Sequence, residues 1–535
     1  MVKCLECEGI TTIFGYPGVA IAPFYDGLYD SKIEHVLVRQ EQAAGHAASG
    51  WARISRKPAV CVTTSGPGAT NLITAMATAY ADSIPVIAIT GQVESDLLGR
   101  DVFQEADITG ATESFTKYRY LVKRADDIPR IFKEAFYIAS TGRKGPILID
   151  VPMDVQLQTL SKDFDYDKLQ VQIRGYKPPA GKGNPAQMKK VSSAIRHAEH
   201  PLLCAGGGVI LGHAEEEVRH FCEKVNIPLV HTMMGIGVMA KSHPLYFGML
   251  GNNGKPYANK AVDRADLLII AGARVADRAI SRPANLENKL KIIHIDIDTA
   301  EIGKNLGPTI PLVGDVKVIF RQLAEMDFHI DTRDWIGELE NIKHSTVDQR
   351  HFSNKLVNPN LFVQTLSEKM EEDAIYVADV GQNQLWSADN YVRKGGRYMT
   401  TGGMGTMGYS IPASIGAKMC QPQKQVVTVC GDGAFQMAFQ ELATARVNHV
   451  PMKIAVIRNN VLGLVREYQE KSCRSRYEGI ALYDYPKYEH IAAAYDMKYL
   501  HISNNDEIEG TIDRFLETDE PCLMIVDVDQ DDNVK

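Results

Sequence analysis

Short runs of apolar, β-branched residues alternate with longer amphipathic segments along nearly the whole chain. In the first third, helical patterns begin near Glu41, Ala69 and Ile128, and the apolar runs are TTIFG, HVLV, AVCVTT, PVIAIT and PILIDVP. Short strands separated by helical stretches of about 15 residues are typical of a doubly wound sheet, because parallel strands need a long crossover. The pattern therefore predicts an α/β fold.

The same alternation recurs twice. The middle third contains PLLCAGGGV, IPLVHTMMG, DLLIIAGA and KIIHIDID, and the last third contains AIYVADVG, VVTVC and KIAVI. Between the first two blocks, the polar stretch RGYKPPAGKGNPAQ at 174–187 has the composition of a linker. For a chain of 535 residues we therefore expect three doubly wound parallel-sheet domains, at 1–165, 186–330 and 356–535.

The most specific motif joins two strand ends in the last third. VVTVC ends at Gly431-Asp432-Gly433, and KIAVI ends at Asn459-Asn460, 27 residues later (459 − 432). Both strands of a β-α-β unit end at the same sheet edge, so Asp432 and Asn459 are expected to meet. Carboxylate and amide oxygens suit Mg²⁺, and glycines at a helix start let a pyrophosphate approach the backbone. A GDG turn alone is usually an ordinary strand-to-helix turn; the two motifs together are far more specific.

Composition and charge narrow the class of protein. With 45% hydrophobic and 23% charged residues the chain is typical of a globular protein, and its net charge of −8 argues against a general nucleic-acid or anionic-membrane binder. No apolar run reaches the roughly 18 residues needed to span a bilayer. The N-terminus MVKCLECEG lacks the apolar core of a signal peptide, so we expect a cytoplasmic protein. Cys4 and Cys7 form a lone C-x-x-C, which we interpret as two ordinary helix residues.

The GDG and NN motifs together resemble the thiamine diphosphate (ThDP) binding motif. In addition, FGYPG, HVLVRQEQAAGHAASGWAR, TSGPGATN, DVFQEADI and GRKGPILIDVP are similar to the N-terminal domain of acetohydroxyacid (acetolactate) synthase catalytic subunits. Taken alone, Glu41 is an acidic residue at a helix start, where it favours the helix dipole. By the resemblance it is the acid that hydrogen-bonds N1′ of the cofactor's aminopyrimidine. The resemblance also implies Val461 (carbonyl) as the third Mg²⁺ ligand, Gly18 and Val19 beside the substrate oxyanion, Phe103 and Gln104 at the reacting centre, Lys117 near its mouth, and Arg143 reaching toward a flavin.

The middle third resembles the FAD-binding domain of the same family, through AGGGV, HTMMGIG, HPLYFGMLGNNG, GARVADRA, HIDIDTAEIGKN and VGDV. A triple glycine between a strand and a helix suits a phosphate but is weak on its own. The family's flavin does no net redox chemistry in the main reaction, so FAD would be structural. The flavin-contacting positions implied are Gly206, Gly207, Gly208, Arg274, Asp277, Arg278, Asp296, Glu301 and Asp315.

In the last third the resemblance places further residues at the cofactor. Met407 would wedge ThDP into its V shape, although a methionine is otherwise a common gap-filler in a core. Family sites combine residues of two chains, so a homodimer or tetramer with the active site at the dimer interface is implied, and the family often uses a small regulatory subunit. The other cofactor positions implied are Gly381, Gln382, Asn383, Gly405, Gly431 and Gly433.

The resemblance implies decarboxylation of pyruvate and transfer of the two-carbon unit to a second 2-ketoacid. The product would be 2-acetolactate or 2-aceto-2-hydroxybutyrate, and the retained flavin motifs favour a role in branched-chain amino-acid biosynthesis. The segment after Glu470, KSCRSRYEGIALYDYP, is expected to close over the site as a lid. The substrate channel would be lined by Glu94, Met153, Leu464 and Tyr468.

Three channel residues leave an alternative open. Tyr468 stands where most family members have tryptophan, Glu94 where they have proline, and Met153 where they have lysine. Another ThDP enzyme of the same fold, namely a decarboxylase, a pyruvate oxidase or a cyclic-diketone hydrolase, is the alternative. A non-catalytic flavin- or nucleotide-binding regulator would be expected to lack Glu41, Asp432 or Asn459, and all three are present.

Overall fold

The computed structural model describes residues 1–161, 163–179, 181–280, 289–346, 352 and 355–534. One compact unit comprises 1–176, 373–384 and 399–530, and a second comprises 177–372, 385–398 and 531–535. Three six-stranded parallel sheets with flanking helices are present, which confirms the predicted α/β class. The boundary between Tyr176 and Lys177 falls inside the predicted linker.

The first sheet belongs to the first unit, and β3, β4 and β6 are buried along their whole length, as expected when helices cover both faces. Its strands are β1 Thr12–Tyr16, β2 Glu34–Leu37, β3 Ala59–Thr63, β4 Val86–Gln92, β5 Tyr118–Leu121 and β6 Ile147–Pro152, in the order β2-β1-β3-β4-β6-β5. Its helices are Val2–Cys7, Ala22–Tyr29, Glu41–Ser55, Pro67–Thr70, Ile73–Ala81, Ile108–Ala111, Ile128–Ser140 and Met153–Leu157.

The second sheet lies in the second unit. Its strands are β7 Pro201–Ala205, β8 Leu229–His231, β9 Tyr246–Met249, β10 Leu267–Ala271, β11 Lys291–Asp296 and β12 Ile310–Val313, in the order β12-β11-β10-β7-β8-β9. The described helices of this unit are Pro185–Arg196, Gly207–Leu211, Glu215–Val225, Pro256–Arg264, Val316–Ala324, Arg333–Ser345 and Pro359–Lys369.

The third sheet carries the two predicted metal-binding strand ends. Its strands are β13 Ile375–Ala378, β14 Arg397–Met399, β15 Val426–Gly431, β16 Lys453–Arg458, β17 Lys498–Ile502 and β18 Cys522–Asp527, in the order β14-β13-β15-β16-β18-β17. The helices of this part of the chain are Gln382–Asn390, Ser410–Cys420, Asp432–Gln436, Leu442–Val447, Gly463–Ser472, Tyr488–Ala494 and Ile508–Glu517.

Six strands lie outside the predicted apolar runs. One is the interior strand β18, and the other five, β5, β9, β12, β14 and β17, are all edge strands. An edge strand has a neighbour on one side only, and β5 shows the consequence, since none of its residues is fully buried. Because partial burial permits polar residues, an edge strand need not contain the continuous apolar run from which a strand is predicted.

Two helices from distant parts of the chain pack closely within the first unit. A Cβ added to Gly50 would lie 2.0 Å from the carbonyl oxygen of Ala413, and one added to Gly416 would lie 2.0 Å from that of Ala47. Gly50 therefore meets Ala413 while Ala47 meets Gly416, which means that Glu41–Ser55 and Ser410–Cys420 run antiparallel. The glycines allow backbone-to-backbone contact.

Gly50→Ala is expected to destabilise the protein. The new methyl group would overlap a backbone oxygen, and overpacking of this kind costs about 1–3 kcal/mol, more than the gain in helix propensity. Thermal unfolding should show a lower melting temperature. Gly510→Ala is the matched control, because nothing lies within 4 Å of its added Cβ in the helix Ile508–Glu517. Equal melting temperatures for Gly50→Ala and the wild type would contradict the packing argument.

No helix in the described part of the chain has the length and hydropathy needed to cross a membrane.

Candidate active site

Asp432 and Asn459 follow neighbouring parallel strands, in which Gly431 is level with Ile457. Asp432 is buried; its Oδ1 accepts a hydrogen bond from the backbone N–H of Gly433 at 2.9 Å, and its Oδ2 accepts one from that of Asn460 at 2.7 Å. Burial raises the pKa of Asp432 to about 6. A cation held beside this carboxylate would favour its charged form. The loop that carries Asn459 is thus joined to Asp432 by a hydrogen bond from its neighbour Asn460.

The Asn459 amide is held on both sides. Its Nδ2 donates to Oε1 of Gln382 at 2.8 Å, and its Oδ1 accepts from the backbone N–H of Val461 at 3.2 Å. Gln382 in turn donates through Nε2 to Oε1 of Glu467 at 2.7 Å. Glu467 was not predicted, because a glutamate within the helical stretch REYQEK carries no sequence signal that distinguishes it.

The predicted metal ligands, Asp432, Asn459 and the Val461 carbonyl, offer oxygen atoms only. A carboxylate, an amide oxygen and a main-chain carbonyl are hard ligands, so these residues fit Mg²⁺ that shares its coordination with phosphate oxygens. Among the described residues, no three or more His, Cys, Asp or Glu side chains form a metal cluster. Softer transition metals, which prefer imidazole and thiolate, are therefore poorly matched to this edge of the sheet.

A loop around Met407 covers the glycine turn. The Met407 methyl group lies 3.2 Å from the position that a Cβ on Gly433 would occupy. The loop is held by Asp379, whose Oδ1 accepts from the backbone N–H of Gly408 at 3.0 Å and whose Oδ2 accepts from that of Ser410 at 2.8 Å. Burial raises the pKa of Asp379. This residue was missed, although ADVG shows the same signal as CGDG, an acidic residue directly after a buried strand.

Gly381 and Gly405, two of the predicted cofactor positions, have backbone conformations that favour glycine. Gly381 has φ 138° and Gly405 has φ 68°, both in the left-handed region that favours glycine. The Asn383 side chain donates to the carbonyls of Asp379 at 2.8 Å and Val429 at 3.3 Å, which ties the ends of β13 and β15 together.

Glu41 is the first residue of its helix and follows the carboxyl end of β2. Its Oε2 accepts a hydrogen bond from Nδ2 of Asn71 at 2.9 Å. Just before it, the backbone N–H of Arg39 donates to both oxygens of the buried Glu441, at 3.0 and 3.2 Å. Glu441 therefore fixes the turn that presents Glu41. Sequence reasoning missed it, since Arg39 and Glu441 are 402 residues apart.

Other predicted residues of the first sheet lie at the same carboxyl edge. A Cβ on Gly18 would lie 2.5 Å from the Thr64 side chain, and one on Gly66 would lie 2.8 Å from the Gln104 carbonyl oxygen. Gln104 has a left-handed backbone with φ 59°. Val19 and Phe103 expose 75% and 87% of their surfaces, so this edge presents apolar side chains to solvent in the single chain.

A buried carboxylate supports the loop that carries Gln104. Asp150 accepts hydrogen bonds from Thr90 at 2.7 Å and from Nε2 of Gln92 at 3.0 Å, and the same Nε2 donates to the Ala106 carbonyl at 2.9 Å. Burial raises the pKa of Asp150 to about 7. Asp150 lies within the predicted strand PILIDVP, but the sequence does not show which loop its side chain supports.

The four predicted channel residues fall into two pairs. Glu94 and Met153 follow β4 and β6, and the next residues, Ser95 and Asp154, are hydrogen-bonded: Oδ1 of Asp154 accepts from both the N–H and the Oγ of Ser95 at 2.9 Å. Leu464 and Tyr468 lie on the helix Gly463–Ser472, directly after the loop with the predicted metal ligands, and Tyr468 is 65% exposed.

The segment predicted as a lid is hydrogen-bonded to the loop that carries the predicted metal ligands. The N–H of Leu462 donates to the Ile480 carbonyl at 2.9 Å, and the N–H of Leu482 donates to the Asn460 carbonyl at 2.8 Å. Arg458, the last residue of β16, donates to Asp484 at 3.2 Å. These contacts place the segment beside Asn459; its closing motion stays a prediction.

The structure does not bring Lys117 and Arg143 to this edge. Lys117 precedes β5, and its N–H donates to the Pro146 carbonyl at 2.9 Å, at the amino edge of the parallel sheet. Its ammonium donates to the Thr141 carbonyl at 2.8 Å, and Arg143 donates to Oγ of Ser83 at 2.9 Å. Residues that precede a parallel strand lie at the opposite sheet edge from those that follow one, so Lys117 and Glu41 of one chain lie at opposite edges. The expected position of Lys117 near the mouth of the site stays a prediction.

The flavin-contacting positions implied for the second unit gather at the carboxyl edge of its sheet. The triple glycine also has a packing role: a Cβ on Gly206 would lie 2.3 Å from the Gly272 carbonyl oxygen, and one on Gly208 would lie 2.7 Å from the Gly272 Cα. The Asp315 side chain accepts from the Val318 N–H at 3.1 Å and caps a helix. The other positions are Gly207 after β7, Arg274, Asp277 and Arg278 after β10, Asp296 at the end of β11, and Glu301 in the loop that follows, 3.4 Å from Lys304.

Three protein-family models match the chain. Residues 1–111 match the N-terminal TPP binding domain of thiamine pyrophosphate enzymes, residues 188–323 match their central domain, and residues 379–526 match their C-terminal TPP binding domain.

Similar proteins align over nearly the whole chain. The probable acetolactate synthase large subunit of Methanocaldococcus jannaschii is 42% identical, over 99% of this chain and 91% of its own length. The acetolactate synthase isozyme 2 large subunit of Escherichia coli is 37% identical, over 100% and 96%. The acetolactate synthase large subunit of Lactococcus lactis is 38% identical, over 100% and 92%.

Proposed function

Because this chain belongs to the thiamine pyrophosphate enzymes and, within them, to the acetolactate synthase large subunits, we propose that it decarboxylates pyruvate and joins the two-carbon unit to a second 2-ketoacid. The products are 2-acetolactate from pyruvate and 2-aceto-2-hydroxybutyrate from 2-ketobutyrate, precursors of branched-chain amino acids. The observation that supports this most strongly is the position of Asp432 and Asn459 after two neighbouring strands, with Met407 beside the glycine turn that follows Asp432.

In this proposal Asp432, Asn459 and the Val461 carbonyl would hold Mg²⁺, which would neutralise the pyrophosphate of ThDP. The glycine turns would let the pyrophosphate approach the backbone, and Met407, beside Gly433, would support the cofactor's ring system. ThDP, when bound, supplies a carbon nucleophile and an electron sink for the decarboxylation.

Glu41 is the proton-handling group of the proposed site. Its carboxyl group would hold a proton at N1′ of the aminopyrimidine, and Asn71 keeps the side chain in place through its 2.9 Å hydrogen bond. The amide of Gln104 and the Gly18-Val19 backbone would donate to the oxygen on which negative charge develops. The exposed Val19 and Phe103 would exclude water that otherwise quenches the reaction.

The geometry of one chain favours an active site shared by two chains. The helices Glu41–Ser55 and Ser410–Cys420 are antiparallel, and Arg53 lies beside the Tyr409 ring at 5.6 Å, level with the start of the second helix. Ser49 and His46 of the same helix also contact Tyr409. We propose that Glu41 of one chain and the Met407 loop of its partner would complete one site in a homodimer, as the family resemblance implies, and that the partner would cover Val19 and Phe103, which are exposed in the single chain.

The second unit is proposed to bind FAD in a structural role. The donor chemistry fits, since guanidinium groups of Arg274 and Arg278 and a glycine turn lie at the carboxyl edge of its sheet. The proposed domains are residues 1–165, 186–330 and 356–535. A small regulatory subunit is a further proposal, because the relatives are named as large subunits. The cytoplasmic location stays a prediction.

A product assay tests the proposed function. Purified protein with pyruvate, ThDP and Mg²⁺, with and without FAD, should form a compound that yields acetoin only after acid treatment. Competition between pyruvate and 2-ketobutyrate then measures the acceptor preference set by Glu94, Met153 and Tyr468. Acetaldehyde as the sole product would indicate a decarboxylase, and acetyl phosphate or acetate formed with oxygen consumption would indicate an oxidase. Absence of pyruvate turnover despite ThDP binding would favour a different substrate.

A further inference from the structure

Three polar side chains, Asn459, Gln382 and Glu467, form a hydrogen-bonded relay from the metal-binding loop to the helix Gly463–Ser472. Asn459 donates to Gln382 at 2.8 Å, and Gln382 donates to Glu467 at 2.7 Å. Gln382 and Glu467 are both buried, with 5% and 6% of their surfaces exposed. Glu467 is one residue before the channel position Tyr468, and neither the family descriptions nor the names of the relatives assign it a role.

The orientation of the two amide groups in this relay depends on Glu467. An amide side chain can turn by 180° with little change of shape, which exchanges its donor and acceptor ends. An ionised carboxylate only accepts, so Glu467 requires the NH₂ group of Gln382 to face it. The Gln382 oxygen then faces Asn459 and requires the NH₂ group of Asn459. The Asn459 oxygen must therefore point away from Gln382.

We propose that Glu467 is a positioning residue that, through Gln382, keeps the Asn459 oxygen turned toward the metal. This inference rests on the proposed function, in which Asn459 ligates Mg²⁺. The local backbone is adapted to the arrangement, because a Cβ on Gly463 would lie 1.8 Å from the Gln382 Oε1 and 3.1 Å from the Asn459 Nδ2. Groups behind a metal ligand fix its orientation and basicity in this way.

Glu467→Gln tests the proposal, since glutamine has the same shape but donates as readily as it accepts. The probe is Mn²⁺, whose free concentration is followed by electron paramagnetic resonance in the presence of ThDP. We expect the Mn²⁺ dissociation constant to rise by about 10-fold or more, the usual effect of losing a group behind a ligand. At saturating Mn²⁺ the kcat should return near the wild-type value, because the relay acts through the metal.

Two further variants sharpen the test. Gly463→Ala displaces Gln382 without touching Glu467, and it should weaken Mn²⁺ binding in the same way; it also serves if Glu467→Gln does not fold. Glu470→Gln is the matched control, because it makes the same chemical change at an exposed position of the same helix, outside the relay. It should leave the dissociation constant unchanged.

The outcomes separate this inference from the proposed function. Wild-type affinity in folded Glu467→Gln or Gly463→Ala overturns the relay while the proposed function stands. A lower melting temperature with lower kcat at every Mn²⁺ concentration, and no change in the dissociation constant, also overturns it, since that is the signature of a merely structural role. Absence of ThDP-dependent Mn²⁺ binding by the wild type overturns the proposed function and the relay together.

Discussion

Glu41→Gln is expected to lower the kcat for acetolactate formation by about 10²–10⁴-fold, the range that positioned acid–base groups contribute. Glutamine keeps the length of the side chain and can still accept the hydrogen bond from Asn71, but it cannot hold the proton at N1′. Binding of ThDP with Mg²⁺ should change little, because Asp432 and Asn459 are untouched. Steady-state product analysis at saturating pyruvate and cofactor measures the effect.

The matched control for this experiment is Glu509→Gln, which makes the same chemical change at an exposed position of the helix Ile508–Glu517. It should retain full activity. Glu41→Asp retains the carboxyl group but withdraws it by one methylene, so partial activity is expected. If Glu41→Gln keeps more than about a tenth of the wild-type kcat, a smaller effect than acid–base catalysis gives, the role assigned to Glu41 is wrong.

Asp432→Asn should raise the dissociation constant of Mg²⁺, measured with ThDP present, by at least about 100-fold, the upper end of the loss found for groups that only support a ligand. Asparagine preserves the volume of this buried side chain but removes the negative charge that balances the cation. Calorimetric titration measures the constant directly. A second readout is the increase in melting temperature caused by Mg²⁺ and ThDP, which should be large in the wild type and nearly absent in the variant.

Asp519→Asn is the control, since it removes one carboxylate from an exposed turn just before β18. Its cofactor-induced increase in melting temperature should equal that of the wild type. If Asp432→Asn binds Mg²⁺ and ThDP with unchanged affinity, the metal site lies elsewhere. The relay proposed for Glu467 would then be wrong as well, because Asn459 would have no metal ion to bind.

The sequence by itself determined the α/β class, the repetition of three sheets and the position of Asp432 and Asn459 at one sheet edge. Each of these follows from local rules: apolar runs become buried parallel strands, and two strands of one crossover unit must end at the same edge. The interior strands β3, β4, β6 and β15 were found for this reason. The edge strand β5 is only partly buried, so its sequence lacks the apolar run from which the interior strands were predicted.

Only the tertiary structure decided which side chains hold the predicted ones in place. Glu441 reaches the turn before Glu41 across 402 residues, and Glu467 reaches Gln382 across 85. It also decided that Lys117 lies at the amino edge of its sheet. The physical reason is that hydrogen bonds and helix packing depend on distance in space, whereas sequence patterns report only the burial and backbone conformation of each segment.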